Sequence, residues 1–205
     1  MKILIIPKII ESYNGQFEIS IEQNLISFLK YSFKKSTIKI AYDMKIRNNV
    51  DLIILSGGNT IKKFSSKNKD IIRNKYDNFY LKNSIKYRIP LIGICHGAQF
   101  IAFKNKSKFI KDKKHINFLH NIVALDKKLT KNVKKVKCFH EYKIISCGKK
   151  IDVIAKAQDN SIEAFLMKEN KIAGIIWHPE RTKNNLKNQT NFFKKIYAVI
   201  NSSIR

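Results

Sequence analysis

Short apolar runs alternate with longer stretches of mixed polarity through the first half of the chain. Ile3–Ile6, the alternating β-branched segment Thr37–Tyr42, the run Asp51–Leu55 and Ile89–Ile94 are too short for buried helices, so they predict strands. Between them, Ile19, Ile26, Leu29 and Phe33 fall on one stripe of a helix from Ile19 to Phe33. A Lys-rich helix is predicted from Asp70 to Tyr87, and another follows from His96. Strands that alternate with helices predict an α/β fold with a parallel sheet covered on both faces. Beyond Asn121 strands follow one another: Ile122–Leu125, Val133–Phe139, Lys143–Ser146, Ile151–Ala157, Ile162–Met167 and Lys171–Ile176. A last helix runs from Asn185 to Ile200. No internal repeat and no Pro/Ser-rich linker divides the pattern, so residues 1–205 are expected to form one domain.

Composition adds a strong charge. Lys plus Arg is 41 against 15 Asp plus Glu, a net charge of +26, which points to anionic partners. Only Arg47, Arg73, Arg88, Arg181 and Arg205 are arginines; the excess is Lys, and Ile and Asn are also abundant. An AT-rich genome writes that bias, so a solvated lysine surface accounts for most of the charge. Lys104–Lys114 and Lys127–Lys137 are the clusters that could meet an anion. No zinc-finger spacing, RNP-type aromatic run or recognition helix accompanies them, so no specific nucleic-acid binding is expected. The first apolar run is broken by Pro7 and Lys8, and nothing approaches the roughly 18–20 apolar residues of a membrane span. Cys95, Cys138 and Cys147 are odd in number and lack framework spacing, which predicts free thiols and a cytoplasmic location.

The scarce residues gather at three segments. Of seven Gly, four are Gly57, Gly58, Gly93 and Gly97; the one Trp is Trp177, beside Pro179. Where Gly is suppressed, those that remain hold backbone positions closed to other residues. Gly93-Ile94-Cys95-His96-Gly97 follows a predicted strand and opens a predicted helix, the pattern of a nucleophile elbow with a thiol as nucleophile. A helix N-terminus there lowers the thiol pKa. In Trp177-His178-Pro179-Glu180, an extended backbone would face His178 and Glu180 the same way, giving a base and its orienter. Leu55-Ser56-Gly57-Gly58-Asn59 ends a buried strand, where ligands bind in open α/β sheets. It can aim a backbone N–H at an oxyanion, paired with that of His96. Taken singly, these segments also read as a core cysteine, an exposed polar turn and a plain tight turn. Cys138-x-His140 is half of a metal site, but neither His115, His120 nor any other pair completes it at suitable spacing, so no metal and no cofactor is expected.

Together and in this order, the three segments resemble the class I glutamine amidotransferase superfamily across nearly the whole chain. The resemblance implies a flavodoxin-like three-layer α/β fold with a mainly parallel central sheet. It also implies a catalytic triad of Cys95 (nucleophile), His178 (base and acid) and Glu180 (orienter). Gly58 and His96 would supply oxyanion N–H groups, and Gly57, Asn59, Gln99, His140 and Arg181 would contact substrate. Further agreement at Val136–His140, Ser161–Ala164 and Pro179–Arg181 is similar to the gamma-glutamyl hydrolase branch, most of all the gamma-glutamyl-CDP-amidate hydrolases of capsule phosphoramidate biosynthesis. His96-Gly97-Ala98 stands where that branch often has Arg-Gly-Met, and Lys137-Cys138 where Asn-Ser is usual. The implied reaction is hydrolysis of a gamma-glutamyl amide on a small, nucleotide-linked substrate. The alternative is a glutaminase subunit that passes ammonia to a synthase partner.

Overall fold

The computed structural model describes residues 1–46, 49–182 and 185–202. In chain order its strands are β1 (Lys2–Ile6), β2 (Lys8–Tyr13), β3 (Gln16–Ser20), β4 (Thr37–Ile40), β5 (Leu52–Leu55), β6 (Leu91–Ile94), β7 (Lys108–Lys111), β8 (Ile116–Ala124), β9 (Lys135–Phe139), β10 (Tyr142–Ser146), β11 (Asp152–Ala157), β12 (Ile162–Met167) and β13 (Ile172–Ile175). The helices are α1 (Gln23–Ser32), α2 (Asn68–Tyr87), α3 (His96–Lys104), α4 (Lys127–Thr130) and α5 (Leu186–Ser202).

Strands β4-β1-β5-β6-β13 lie parallel in that order. Successive side chains on a strand point to opposite faces, so a run of apolar residues serves a sheet buried on both sides. Ile3, Ile5, Leu52 and Ile54 face one core with Leu25, Phe28 and Leu29 of α1 and Phe192, Phe193 and Ile196 of α5. Leu4, Ile6, Ile53 and Leu55 face the other, with Tyr80 and Leu81 of α2 and Phe100 and Ile101 of α3. This is the flavodoxin-like three-layer α/β arrangement expected. Past β13 the sheet turns antiparallel through β12, β11, β8 and β9, with β10 joining β12 to β7. No helix among the described residues is long and apolar enough to cross a membrane.

Several elements differ from expectation. Residues 8–20 form a hairpin, β2–β3, that the pattern did not predict, so Ile19 is a strand residue, 45% exposed, and not on a helical stripe. Helix α1 starts at Gln23 and buries Leu25, Phe28, Leu29 and Ser32. The signal for the hairpin was its two-residue connection Asn14-Gly15, with Gly15 at φ +80°. Strand β7 was not predicted, and β8 begins at Ile116, six residues before the expected start at Ile122; most of its side chains are exposed and carry no burial pattern.

Candidate active site

Three neighbouring parallel strands, β5, β6 and β13, end side by side, and the three Gly-, Cys- and His-bearing segments continue from those ends. Their convergence follows from the topology: ligands of open α/β sheets bind at the carboxyl ends of the strands. Cys95 sits between β6 and α3 at φ +50° and ψ −103°, a positive-φ conformation strained for a residue with a side chain. The flanking glycines make the turn fit. A Cβ on Gly93 would lie 2.5 Å from the Gly97 carbonyl carbon, and one on Gly97 would lie 2.2 Å from the Leu55 oxygen. The elbow is therefore pressed against β5 with no room for a methyl group.

His178 follows β13 and points back at Cys95. Its Nδ1 lies 2.6 Å from Glu180 Oε1, which leaves Nε2 for the thiol. Glu180 does not lie in an extended segment: Pro179–Arg181 is a 3-10 turn, and the tighter backbone still brings the carboxylate onto the imidazole. Burial opposes the Cys95 thiolate, but the positive charge of the neighbouring His178 outweighs it. With smaller help from His140 and Arg181, the thiol titrates below its ordinary value. Burial likewise opposes the imidazolium; the Cys95 thiolate and Glu180 reverse that and raise His178 to about 10. The pair is thus biased toward thiolate and imidazolium. A Cβ on Gly57 would lie 2.7 Å from His178 Cε1 and 3.4 Å from Cys95 Cβ, so Gly57 packs directly against both.

Cys95 and His178 open on a cleft of about 470 Å³. Gly58, Asn59, Gln99, His140 and Arg181 line it. Gly58 has φ +109°, a conformation that suits glycine. His96 is the first residue of α3, so its N–H is among the helix's free first-turn donors, while its buried side chain turns away to Asp77. Gln99 donates to the Tyr142 carbonyl at 2.6 Å. The Asn59 amide is held by the Ile9 backbone (2.9 Å both ways) and by Asp70, tying the hairpin to the cleft wall. Arg181 forms a bidentate pair with Glu22 and lies 4.5 Å over the Phe139 ring. His140 is buried, and neither ring nitrogen has a hydrogen-bond partner. Lys67, Lys69 and Lys111 add positive charge to the walls, so the first lysine cluster reaches the site through Lys111.

Reading the sequence missed the support beneath the elbow. Arg73 and Asp77, one turn apart on α2, are fully buried. Arg73 donates to the Ser56 carbonyl at 2.7 Å and to Asp77 at 2.8 Å; Asp77 reaches His96 Nε2 at 2.7 Å. Burial penalises the Asp77 carboxylate, and Arg73 with His96 overcomes this and lowers its pKa. One buried chain of charges thus braces both the Gly-Gly turn and the residue after Cys95. The available signal was Arg73 itself, one of five arginines in a chain that mostly uses lysine.

A model of the glutamine amidotransferase class-I family matches residues 10–198. A gamma-glutamyl-CDP-amidate hydrolase of Campylobacter jejuni is 33% identical over 177 residues, 84% of each chain. A glutamine-hydrolyzing GMP synthase component from Methanococcus aeolicus is 30% identical over 149 residues, 69% of this chain and 72% of that one. The crystal structure of a glutamine amidotransferase from Thermotoga maritima superposes with a TM-score of 0.73 at 12% identity over 98% of both chains, a likeness of fold.

Proposed function

We propose a reaction for this chain, which belongs to the class-I glutamine amidotransferase family: Cys95-dependent hydrolysis of a gamma-glutamyl amide bond, releasing glutamate. The observation that carries it is the Cys95 thiol on a strained elbow, packed with His178 against Gly57, and an imidazole whose Nδ1 is held by Glu180. The thiolate attacks the gamma-carbonyl carbon. The N–H groups of Gly58 and His96 hold the oxyanion. Protonated His178 gives its proton to the leaving nitrogen as the C–N bond breaks, leaving a thioester on Cys95. Neutral His178 then takes a proton from water, which attacks the thioester and frees glutamate and the thiol. Gln99 and His140 lie where the glutamyl group would be bound.

The leaving group we assign is a nucleotide-linked phosphoramidate of the gamma-glutamyl-CDP-amidate kind. Ligand pockets run roughly 300–1,000 Å³, and a cleft of about 470 Å³ has room beyond a glutamyl group. Its lysines suit phosphate, and the Campylobacter jejuni relative carries that substrate in its name. That substrate would place the reaction in capsule phosphoramidate synthesis. Three free thiols favour a cytoplasmic setting, and the family match over residues 10–198 supports one domain over 1–205. The test is glutamate release by the purified protein from gamma-glutamyl-CDP-amidate, gamma-glutamyl-aminobutyrate, gamma-glutamyl peptides and glutamine, beside Cys95→Ala. Turnover of the nucleotide conjugate well above glutamine is expected. The similarity to the Methanococcus aeolicus GMP synthase component favours a second reading, ammonia delivery to a synthase. Silence on every conjugate would support it.

A further inference from the structure

The mechanism leaves unused a second buried group of titratable side chains. His115 closes a 3-10 turn, His120 lies on β8, Cys138 on β9 and Glu163 on β12. Their exposures are 5%, 7%, 0% and 0%. We propose that His115, His120, Cys138 and Glu163 bind one zinc ion at a site separate from the Cys95 centre.

One potential ligand atom of each residue lies within 4.8 Å of all the others. His120 Nε2 is 3.0 Å from Cys138 Sγ and 3.6 Å from Glu163 Oε1. His115 Nδ1 is 3.8 Å from Glu163 Oε1, and Cys138 Sγ is 3.3 Å from Glu163 Oε2. Tetrahedral zinc with bonds of about 2.0–2.3 Å places its ligand atoms roughly 3.3–3.8 Å apart. The His120–Glu163 and His115–Glu163 distances fall in that range, and the 3.0 Å between His120 and Cys138 would open slightly.

The outer side of each imidazole is also built as in metal sites. His115 Nε2 meets Asp159 Oδ2 at 2.9 Å, and His120 Nδ1 faces the Asn121 carbonyl at 3.3 Å. Such contacts fix the tautomer and turn the other nitrogen, as a lone pair, toward the metal. An independent observation suits a cation here: Glu163 Oε1 and His115 Nδ1 are buried and have no hydrogen-bond partner. Buried polar atoms are nearly always satisfied, and these two face one point. Two imidazoles, a thiolate and a carboxylate suit zinc by softness and number. The two negative ligands balance its charge, so no net charge is buried. Binding exchanges the Cys138 thiol proton for a sulfur–zinc bond and releases that proton to solvent. A depression lined by His115, Phe118, His120 and Asp159 gives an entry path. The ion would clamp β8, β9 and β12 to the 3-10 turn, and it would hold the carboxylate that faces His140 Nε2 at 3.8 Å.

The test is metal binding by the full chain, stripped with chelator and reloaded with Zn²⁺ or Co²⁺. One zinc per chain is expected by elemental analysis. Co²⁺ should give a sulfur-to-cobalt charge-transfer band that persists in Cys95→Ala and vanishes in Cys138→Ser. Asp159→Asn, at a side chain 38% exposed, should keep the stoichiometry and weaken zinc roughly 10- to 100-fold. That variant carries the test if Cys138→Ser does not fold by circular dichroism. Failure of the wild-type chain to retain zinc, or a band that survives Cys138→Ser, would overturn the site, as would Asp159→Asn binding zinc as tightly as wild type.

Discussion

Two thiols in this protein each sit beside an imidazole and a carboxylate, and they are tuned in opposite directions. Burial works against a thiolate at both. At Cys95 the neighbours are cationic: His178, His140 and Arg181 act on the thiol, and Glu180 stands behind the His178 imidazole. The thiol therefore titrates low. At Cys138 the carboxylate touches the thiol directly, Glu163 Oε2 at 3.3 Å, and its negative charge adds to burial in pushing the thiol far above its usual value. The same three residue types make a nucleophile when the imidazole separates thiol from carboxylate. They make a protonated, inert thiol when it does not, unless a cation sits among them.

The sharpest break of this contrast is Cys95→Ala. It should lower gamma-glutamyl hydrolysis by about 10⁴-fold or more, read as glutamate release, with the circular dichroism spectrum kept. The titration itself is checked by carboxymethylation of Cys95 against pH. Its pKa is lowered and that of His178 is raised to about 10, so thiolate and imidazolium coexist over a pH range below that in which a lone thiol ionises. The rate should reach its plateau at lower pH than for an ordinary thiol and fall as pH drops through the lowered Cys95 value. A rate that keeps rising toward about pH 8.5, as for an ordinary thiol, would remove the distinction between the two sites. Glu180→Gln leaves the shape but loses the charge behind the imidazole, and should cost about 10²- to 10⁴-fold in kcat. Gly57→Ala should cost about 10²-fold, because its methyl would press on the His178 ring at 2.7 Å and displace the base. The smallest effect is expected from Lys67→Gln with Lys69→Gln. KM for a nucleotide conjugate should rise about fivefold at low salt, and less at high salt, with glutamine turnover unchanged.

The candidate active site was far more legible in the sequence than the second cluster. Gly93, Gly97 and Gly57 sit where a Cβ would collide with neighbouring atoms, so their survival in a Gly-poor chain marked the site. Strands β1, β5 and β6 were legible because both faces are buried and nearly every residue is apolar. His115, His120, Cys138 and Glu163 come from separate elements of an antiparallel extension, and only strand pairing brings them together. No local spacing encodes that. The exposed first half of β8 and the polar hairpin β2–β3 lack a buried face, so alternation could not reveal them.

Strand β13 leads into His178 and enters the sheet between β6, far upstream in the chain, and β12. The last backbone bond before the histidine runs from Ile176 N–H to the Glu163 carbonyl, at 2.8 Å. Cys95 is thus made well before His178, and the two meet only through the pairing of strands far apart in the sequence. A one-residue slip of β13 against its neighbours would turn every side chain of the strand to the wrong face. The cationic neighbour that lowers the titration of Cys95 is therefore a property of the assembled sheet, and no isolated segment of the chain carries it.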